Sequence, residues 1–259
     1  MGSLGNIGTS PPVLSNNASH SLRSVGSLWY VTRGAKKIEE ALNRGDHQAA
    51  IVEASIVVGQ AEKDVVLHKV PDYMKAMVFS VPPKYLKLAL ANLPDNVSTA
   101  LRSYDPQERN NAQKIVTTFL GIMRNEGFWD PSATRGNAIG LCQVELGSAN
   151  DVGDKNGWAP ITRDQLFNPG TNIKYGFAVF NWILKNRANG DIDLAVVLYK
   201  KGAYYKGAPD NGARIYLANV KDFVENFSGA TGGSMPLEFQ GSAVVSNEHT
   251  FSLPPLPVE

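Results

Sequence analysis

Glu126-Gly-Phe-Trp-Asp-Pro131-Ser-Ala133-Thr-Arg-Gly-Asn-Ala138-Ile-Gly140-Leu141-Cys142-Gln143-Val144 follows the most regular helix signal in the chain, and its reading decides the fold. Just upstream, Asp105-Pro106-Gln107-Glu108 has the order of a helix start. Asp105 is the cap, Pro106 takes the first helical position, and Glu108 stands where a capping box needs an acid. Ala112, Ile115, Val116, Phe119, Leu120 and Met123 then recur at helical spacing and predict a helix running to about Asn125. Gly127 and Asp130-Pro131 stop it. Glu126 is thereby placed at the negative end of a buried helix, with Phe128 and Trp129 beside it. An apolar wall and a negative helix end favour the protonated acid, the form that general-acid catalysis uses. Position alone serves a surface helix-end glutamate equally well.

Outward from this stretch the chain reads as mainly α-helical. Lys36 to Asn43 is helical and stops at Gly45; Asp46 caps a following helix through Ala50, Ile51, Ala54, Val58 and Ala61. Pro71, Pro82, Pro83 and Pro94 cut the next region into short helices, including Lys84 to Asn92. No Gly-Asn or Asn-Gly hairpin flanked by alternating strands is evident, and no long βαβ alternation, so a Rossmann-type or barrel sheet is not expected. Both ends are rich in Gly, Ser, Asn and Pro and poor in core formers. The expected organisation is an irregular arm over residues 1–30, a helical N-terminal region over 31–104, a helical domain over 105–227, and a second irregular arm over 228–259.

The stretch beginning at Glu126 resembles the signature of the soluble lytic transglycosylase family, the goose-lysozyme-like muramidases. That signature has a Glu, then Pro, Ala and a Gly-Leu-Met-Gln run; here Pro131, Ala133 and Gly140-Leu141-Cys142-Gln143 match, with Cys142 in the Met place. Ser148-Ala149, then Phe167-Asn168-Pro169-Gly170-Thr171-Asn172-Ile173, then Ala195 to Gly202, then Arg214 to Val220 resemble the later family segments in the family order. The resemblance runs from about Gln113 to Phe227.

The resemblance implies a lysozyme-like helical domain that cleaves the β-1,4 bond between N-acetylmuramic acid and N-acetylglucosamine in peptidoglycan, without metal or cofactor. It gives Glu126 the general acid and base role, and has Tyr216 hydrogen-bond that carboxyl. It gives Gln143, with the backbone of Gly140 and Leu141 and the adjoining Cys142, the sugar's acetamido group. Tyr199 lines the cleft, and Arg135 is a further substrate contact. The muramyl C6 hydroxyl attacks its own C1, so no second catalytic carboxylate is needed. The chain also departs from the pattern. Gly127 replaces a Ser, Thr134 or Arg135 replaces a later Ser, and Lys200 replaces an Asn. Asp130 and Glu145 are added acids; Asp130 reads best as a turn residue before Pro131, and Glu145 as a helix-start charge. Either acid could instead activate water and give a hydrolase, and a structural protein on the same fold is the alternative of a different class.

Composition bounds the partners. In 259 residues, 25 Lys and Arg face 24 Asp and Glu, so no basic footprint for nucleic acid is present. One cysteine, Cys142, excludes an intramolecular disulfide framework. No apolar run reaches the ~20 residues of a membrane span. The N-terminus lacks the basic and apolar regions of a signal peptide. With a substrate outside the cell membrane, this leads to the expectation of a phage virion protein of the tail or injection apparatus, assembled through the N-terminal region and both arms. A phage endolysin is the runner-up.

Overall fold

The computed structural model describes residues 16–64 and 67–230. Half of the first expected arm, at 1–15, and most of the second, at 231–259, lie outside the described residues. In chain order the helices are α1 (Asn16–Asn43), α2 (His47–Lys63), α3 (Asp72–Val78), α4 (Pro83–Ala91) and α5 (Asp95–Leu101). Next come α6 (Pro106–Gly127), strands β1 (Thr134–Arg135), β2 (Ala138–Ile139) and β3 (Val144–Glu145), and α7 (Leu146–Lys155). The chain continues with α8 (Pro169–Asn186), α9 (Ile192–Lys201) and α10 (Asn211–Ala230). The fold is mainly helical, as the sequence implied. No helix among the described residues is long and apolar enough to cross a membrane.

The local signals work as physical chemistry requires. Asp105 Oδ1 accepts from the Gln107 amide at 2.8 Å, and α6 starts at Pro106. Asp46 Oδ1 accepts from Ala49 N at 3.0 Å and starts α2. Gly45, at φ +70°, ends the α1 turn.

Three expectations need correcting. Helix α1 begins at Asn16, inside the segment expected to be an irregular arm over 1–30. Its C-terminal part is anchored by Val31, Ile38 and Ala41, and once a helix is nucleated each added residue costs little. Helix α10 runs to Ala230, a little into the expected second arm at 228–259, for the same reason: Phe223 and Phe227 are packed. The third is a short hairpin at a Gly-Asn pair, where the sequence shows no alternating strands. β1 pairs antiparallel with β2, Thr134 opposite Ile139 and Arg135 opposite Ala138, across a two-residue turn, Gly136-Asn137, with Gly136 at φ +63°. Strands of two residues carry no alternation to read.

The chain divides into two compact units, one of residues up to Asn92 with Ile122–Val179, the other of Leu93–Gly121 with Phe180 onward. The division does not follow the boundary expected between residues 104 and 105, because α6 and α8 each belong partly to both units. In the first unit α1 packs on α2 and α2 on α3. Ile38, Ala41, Ala54, Val57 and Met74 are buried there. Tyr30 donates its hydroxyl to the Ile56 carbonyl at 2.7 Å, and Lys37 pairs with Glu53 at 3.1 Å. The second unit is built on rings and small aliphatics. Phe119 stacks near Phe180 at 6.2 Å, Phe223 near Phe227 at 5.6 Å, and Ala195 to Leu198 are buried on α9.

Candidate active site

Glu126 lies in the last turn of α6, and the backbone just after it is unusual. Phe128 and Trp129 both have positive φ, 47° and 63°, a conformation that non-glycine residues rarely take, and never cheaply in succession. Phe128 N still donates to Arg124 O at 3.1 Å, and Asp130 N donates to Gly127 O at 2.8 Å, so the chain reverses within one turn. The burial of Trp129 offsets the strain: its ring is fully buried and stacks on Tyr85 at 6.2 Å and 15°. Asp130 Oδ1 accepts from Ser132 N at 2.8 Å and from Ser132 Oγ at 2.6 Å, the turn role expected of it.

The loop facing Glu126 is fixed from several sides. A Cβ on Gly127 would lie 2.5 Å from the Cα and O of Leu141. At Gly127 the two backbones meet where a side chain would stand. Gly140, at φ +72°, is closed off in the same way by the Asn172 amide. Asn172, almost fully buried, takes Cys142 N at 2.8 Å on its oxygen and donates to Ile139 O at 2.8 Å and Leu166 O at 2.9 Å. All of its polar atoms are engaged, which makes it the hub of the loop. Cys142 is buried, and a Cβ on Gly176 would lie 2.7 Å from its Sγ. Burial, and after it the charge of Glu126, pushes the Cys142 thiol well above the usual thiol range, so it stays protonated and serves as filler.

The expected substrate residues divide by what they are free to do. Gln143, at φ +46°, donates Nε2 to Ala133 O at 3.0 Å and to Gly140 O at 2.9 Å. Both amide hydrogens are therefore spent on the loop itself, and only the carbonyl oxygen is left for a ligand. Arg135, on β1, extends an exposed guanidinium whose Nη1 stands 4.0 Å from Glu126 Oε2; that carboxylate-bearing side chain is 7% exposed. Glu126, Arg135, Gly140, Leu141, Cys142 and Gln143 all belong to the first unit.

Tyr199 and Tyr216 belong to the second unit. The Tyr199 ring meets Phe180 edge to face at 6.2 Å. Tyr216 is buried, with Lys200 Nζ 4.9 Å from its ring centroid. There Lys200 makes a cation–π contact. Tyr204, in the same unit, is 71% exposed, with Arg187 4.8 Å from its ring centroid.

In the sequence Asn172 stands out only as part of a motif; its hub role is hidden there because Ile139, Cys142 and Leu166 lie apart from it along the chain. No group of His, Cys, Asp and Glu that could hold a metal ion occurs among the described residues.

Comparison with known proteins falls on this same region. Residues 104–213 match the family model of the Transglycosylase SLT domain. No curated protein matches the chain. Among solved structures the chain is similar to the lytic transglycosylase Slt from Pseudomonas aeruginosa, determined as an inactive Glu-to-Gln mutant. The identity is 18%, the TM-score 0.53, and the match covers 78% of this chain and 31% of that one. The chain thus spans about a third of the length of the structure it matches, and the likeness is one of fold.

Proposed function

We propose that this chain, whose residues 104–213 match the SLT transglycosylase domain, cleaves the β-1,4 bond between N-acetylmuramic acid and N-acetylglucosamine in peptidoglycan. The observation that carries the reading is the seat of Glu126: a nearly buried carboxyl at the end of α6, against a loop locked by Gly127, Gly140 and Asn172. A fixed acid in a partly dry setting can deliver its proton to one place.

In the proposed reaction Glu126 gives its proton to the glycosidic oxygen as the bond from that oxygen to C1 breaks. The muramyl C6 hydroxyl bonds to C1 and passes its proton to the Glu126 carboxylate, which restores the acid. The product carries a 1,6-anhydro end, and no second carboxylate takes part. Asp130 is spent on its own turn through Ser132, which favours this route over the hydrolytic one. Gln143 shapes the loop with its amide hydrogens and offers its oxygen to the substrate.

Purified sacculi test the proposal. Glu126→Gln should lower muropeptide release by about a thousandfold, and mass spectrometry of the wild-type product should show anhydro ends. Equal release by wild type and variant would overturn the reading, and reducing ends would turn it into a hydrolase. The virion setting is the accompanying proposal. It is supported by the near-neutral charge, which gives no unaided capture of an anionic wall, and by helices α1 to α5 standing outside the matched residues. Detection of the protein in purified phage particles tests it.

A further inference from the structure

Arg135 is the feature of the first unit that this mechanism leaves without a task. Its side chain is 69% exposed, and its Nη1 lies 4.0 Å from Glu126 Oε2, beyond hydrogen-bond length. Among the described residues its guanidinium makes no hydrogen bond. The strand that carries it is rigid. Arg135 pairs with Ala138, the Gly136-Asn137 turn closes the hairpin, and Gly140 N binds Ala133 O at 2.7 Å. A second guanidinium leans on the same turn: Arg163 Nη1 approaches the Asn137 carbonyl at 3.5 Å and meets no carboxylate among the described residues. Two exposed arginines thus frame one short hairpin beside a nearly buried acid.

The guanidinium stands beside the acid at 4.0 Å without a hydrogen bond to it. The arrangement makes chemical sense when the substrate brings its own anion to that place. A guanidinium fork fits a carboxylate, and the pair is held by charge as well as by geometry. N-acetylmuramic acid differs from N-acetylglucosamine by a lactyl ether on C3. That group ends in a free carboxylate on stem-free strands; on intact strands it carries a peptide stem with carboxylates of its own.

Resting on the peptidoglycan reading, we propose that Arg135, assisted by Arg163, recognises a carboxylate on the muramyl C3 substituent and so selects muramyl glycans over neutral ones. Carboxylate binding draws the guanidinium away from Glu126, and leaves the acid facing the glycosidic oxygen.

Binding separates this proposal from catalysis when it is measured in the full chain carrying Glu126→Gln, so that no ligand is consumed. The probes are chitohexaose, stem-free glycan oligomers with lactyl carboxylates, and stem-bearing oligomers. Adding Arg135→Gln should weaken binding of at least one anionic probe about tenfold and leave chitohexaose within about twofold. Arg135→Lys should recover part of the loss, and raised salt should shrink it. Loss on stem-free oligomers identifies the lactyl carboxylate; loss confined to stem-bearing ones identifies the stem. Equal loss on all three probes, or no loss on any, overturns the assignment of Arg135 and leaves the cleavage reading standing. Absence of binding to every glycan in the parent overturns both.

Discussion

Gly121 and Gly127 stand on one helix, yet the space beside each is closed by different matter. A methyl at Gly121 would meet Phe223 Cδ1 at 3.2 Å and Val220 Cγ1 at 3.3 Å, side-chain atoms able to move by a few tenths of an ångström, with the Val220 carbonyl at 3.4 Å. A methyl at Gly127 would meet Leu141 Cα and O at 2.5 Å, which is backbone and cannot yield. The contrast extends to the regions around them. The Glu126 loop is held by side-chain amides that bond to named carbonyls and by Gly127 under the Leu141 backbone. Beside Gly121 the space is filled by the Phe223 ring and the Val220 side chain. The first kind of construction specifies a position to a fraction of an ångström; the second specifies a volume.

The largest effect expected from this difference is at Gly127. Gly127→Ala should cost about 3 kcal/mol or more, as severe overpacking does, and should lower peptidoglycan cleavage by more than about a hundredfold in the fraction that folds. Thermal unfolding and muropeptide release measure the two parts. Gly121→Ala should stay within about 1 kcal/mol of wild type, because the gain in helix propensity offsets the crowding. Like losses at both glycines would abolish the distinction.

Asn172 comes next. Asn172→Ala leaves Ile139 O, Leu166 O and Cys142 N without their partner in a buried place, at a cost of about 3 kcal/mol. Asn172→Asp keeps the volume and the acceptor but sets a carboxylate against two carbonyls. It should lower kcat more than it raises KM, since the loop and not the glycan contact is disturbed. A variant that loses stability but keeps full kcat per folded molecule would reduce Asn172 to a packing residue.

The same division governs how much of the molecule is legible in its sequence. Helix α6 is legible because its cap, its proline and its apolar period all act within a few residues of one another. The exposed hairpin is not, because Gly136-Asn137 joins strands too short to show a period. Gly127 announces itself as a departure, but the space beside it is closed by the Leu141 backbone, which only the fold brings near. Gln143 reads in the sequence as a hand for the sugar; the structure spends its donors on Ala133 and Gly140. Local chemistry is visible, and the contacts that set the site's precision join residues distant in sequence.

A chemical probe sharpens the comparison at smaller effect. Cys142 sits in the loop region with its thiol held protonated by burial and by the charge of Glu126. In the native protein at pH 8 it should resist a thiol reagent, and should react at the ordinary rate once denaturant is added. Ready labelling of the folded chain would show that the loop opens more freely than its hydrogen bonds allow.

The smallest effect belongs to the second unit's surface, where Lys201 Nζ meets Asp210 Oδ2 at 2.7 Å and Asp210 Oδ1 accepts from Ala213 N at 2.8 Å. The lysine bond lowers the Asp210 pKa first, and the Ala213 amide lowers it next; in return the bond to Asp210 raises that of Lys201. A lowered folded pKa stabilises above the carboxylate's ordinary value and is lost as pH falls through the lowered one. For the raised lysine the contribution is present below the ordinary lysine value and is lost as pH rises through the raised one. Both groups are exposed, so solvent and salt reduce the pair to little, while the cap on α10 remains. Lys201→Ala should therefore leave Tm unchanged at neutral pH. Asp210→Ala should lower it by a few degrees, and that difference should vanish in strong acid. Equal shifts from the two variants would mean that the ion pair, and not the cap, holds the start of α10.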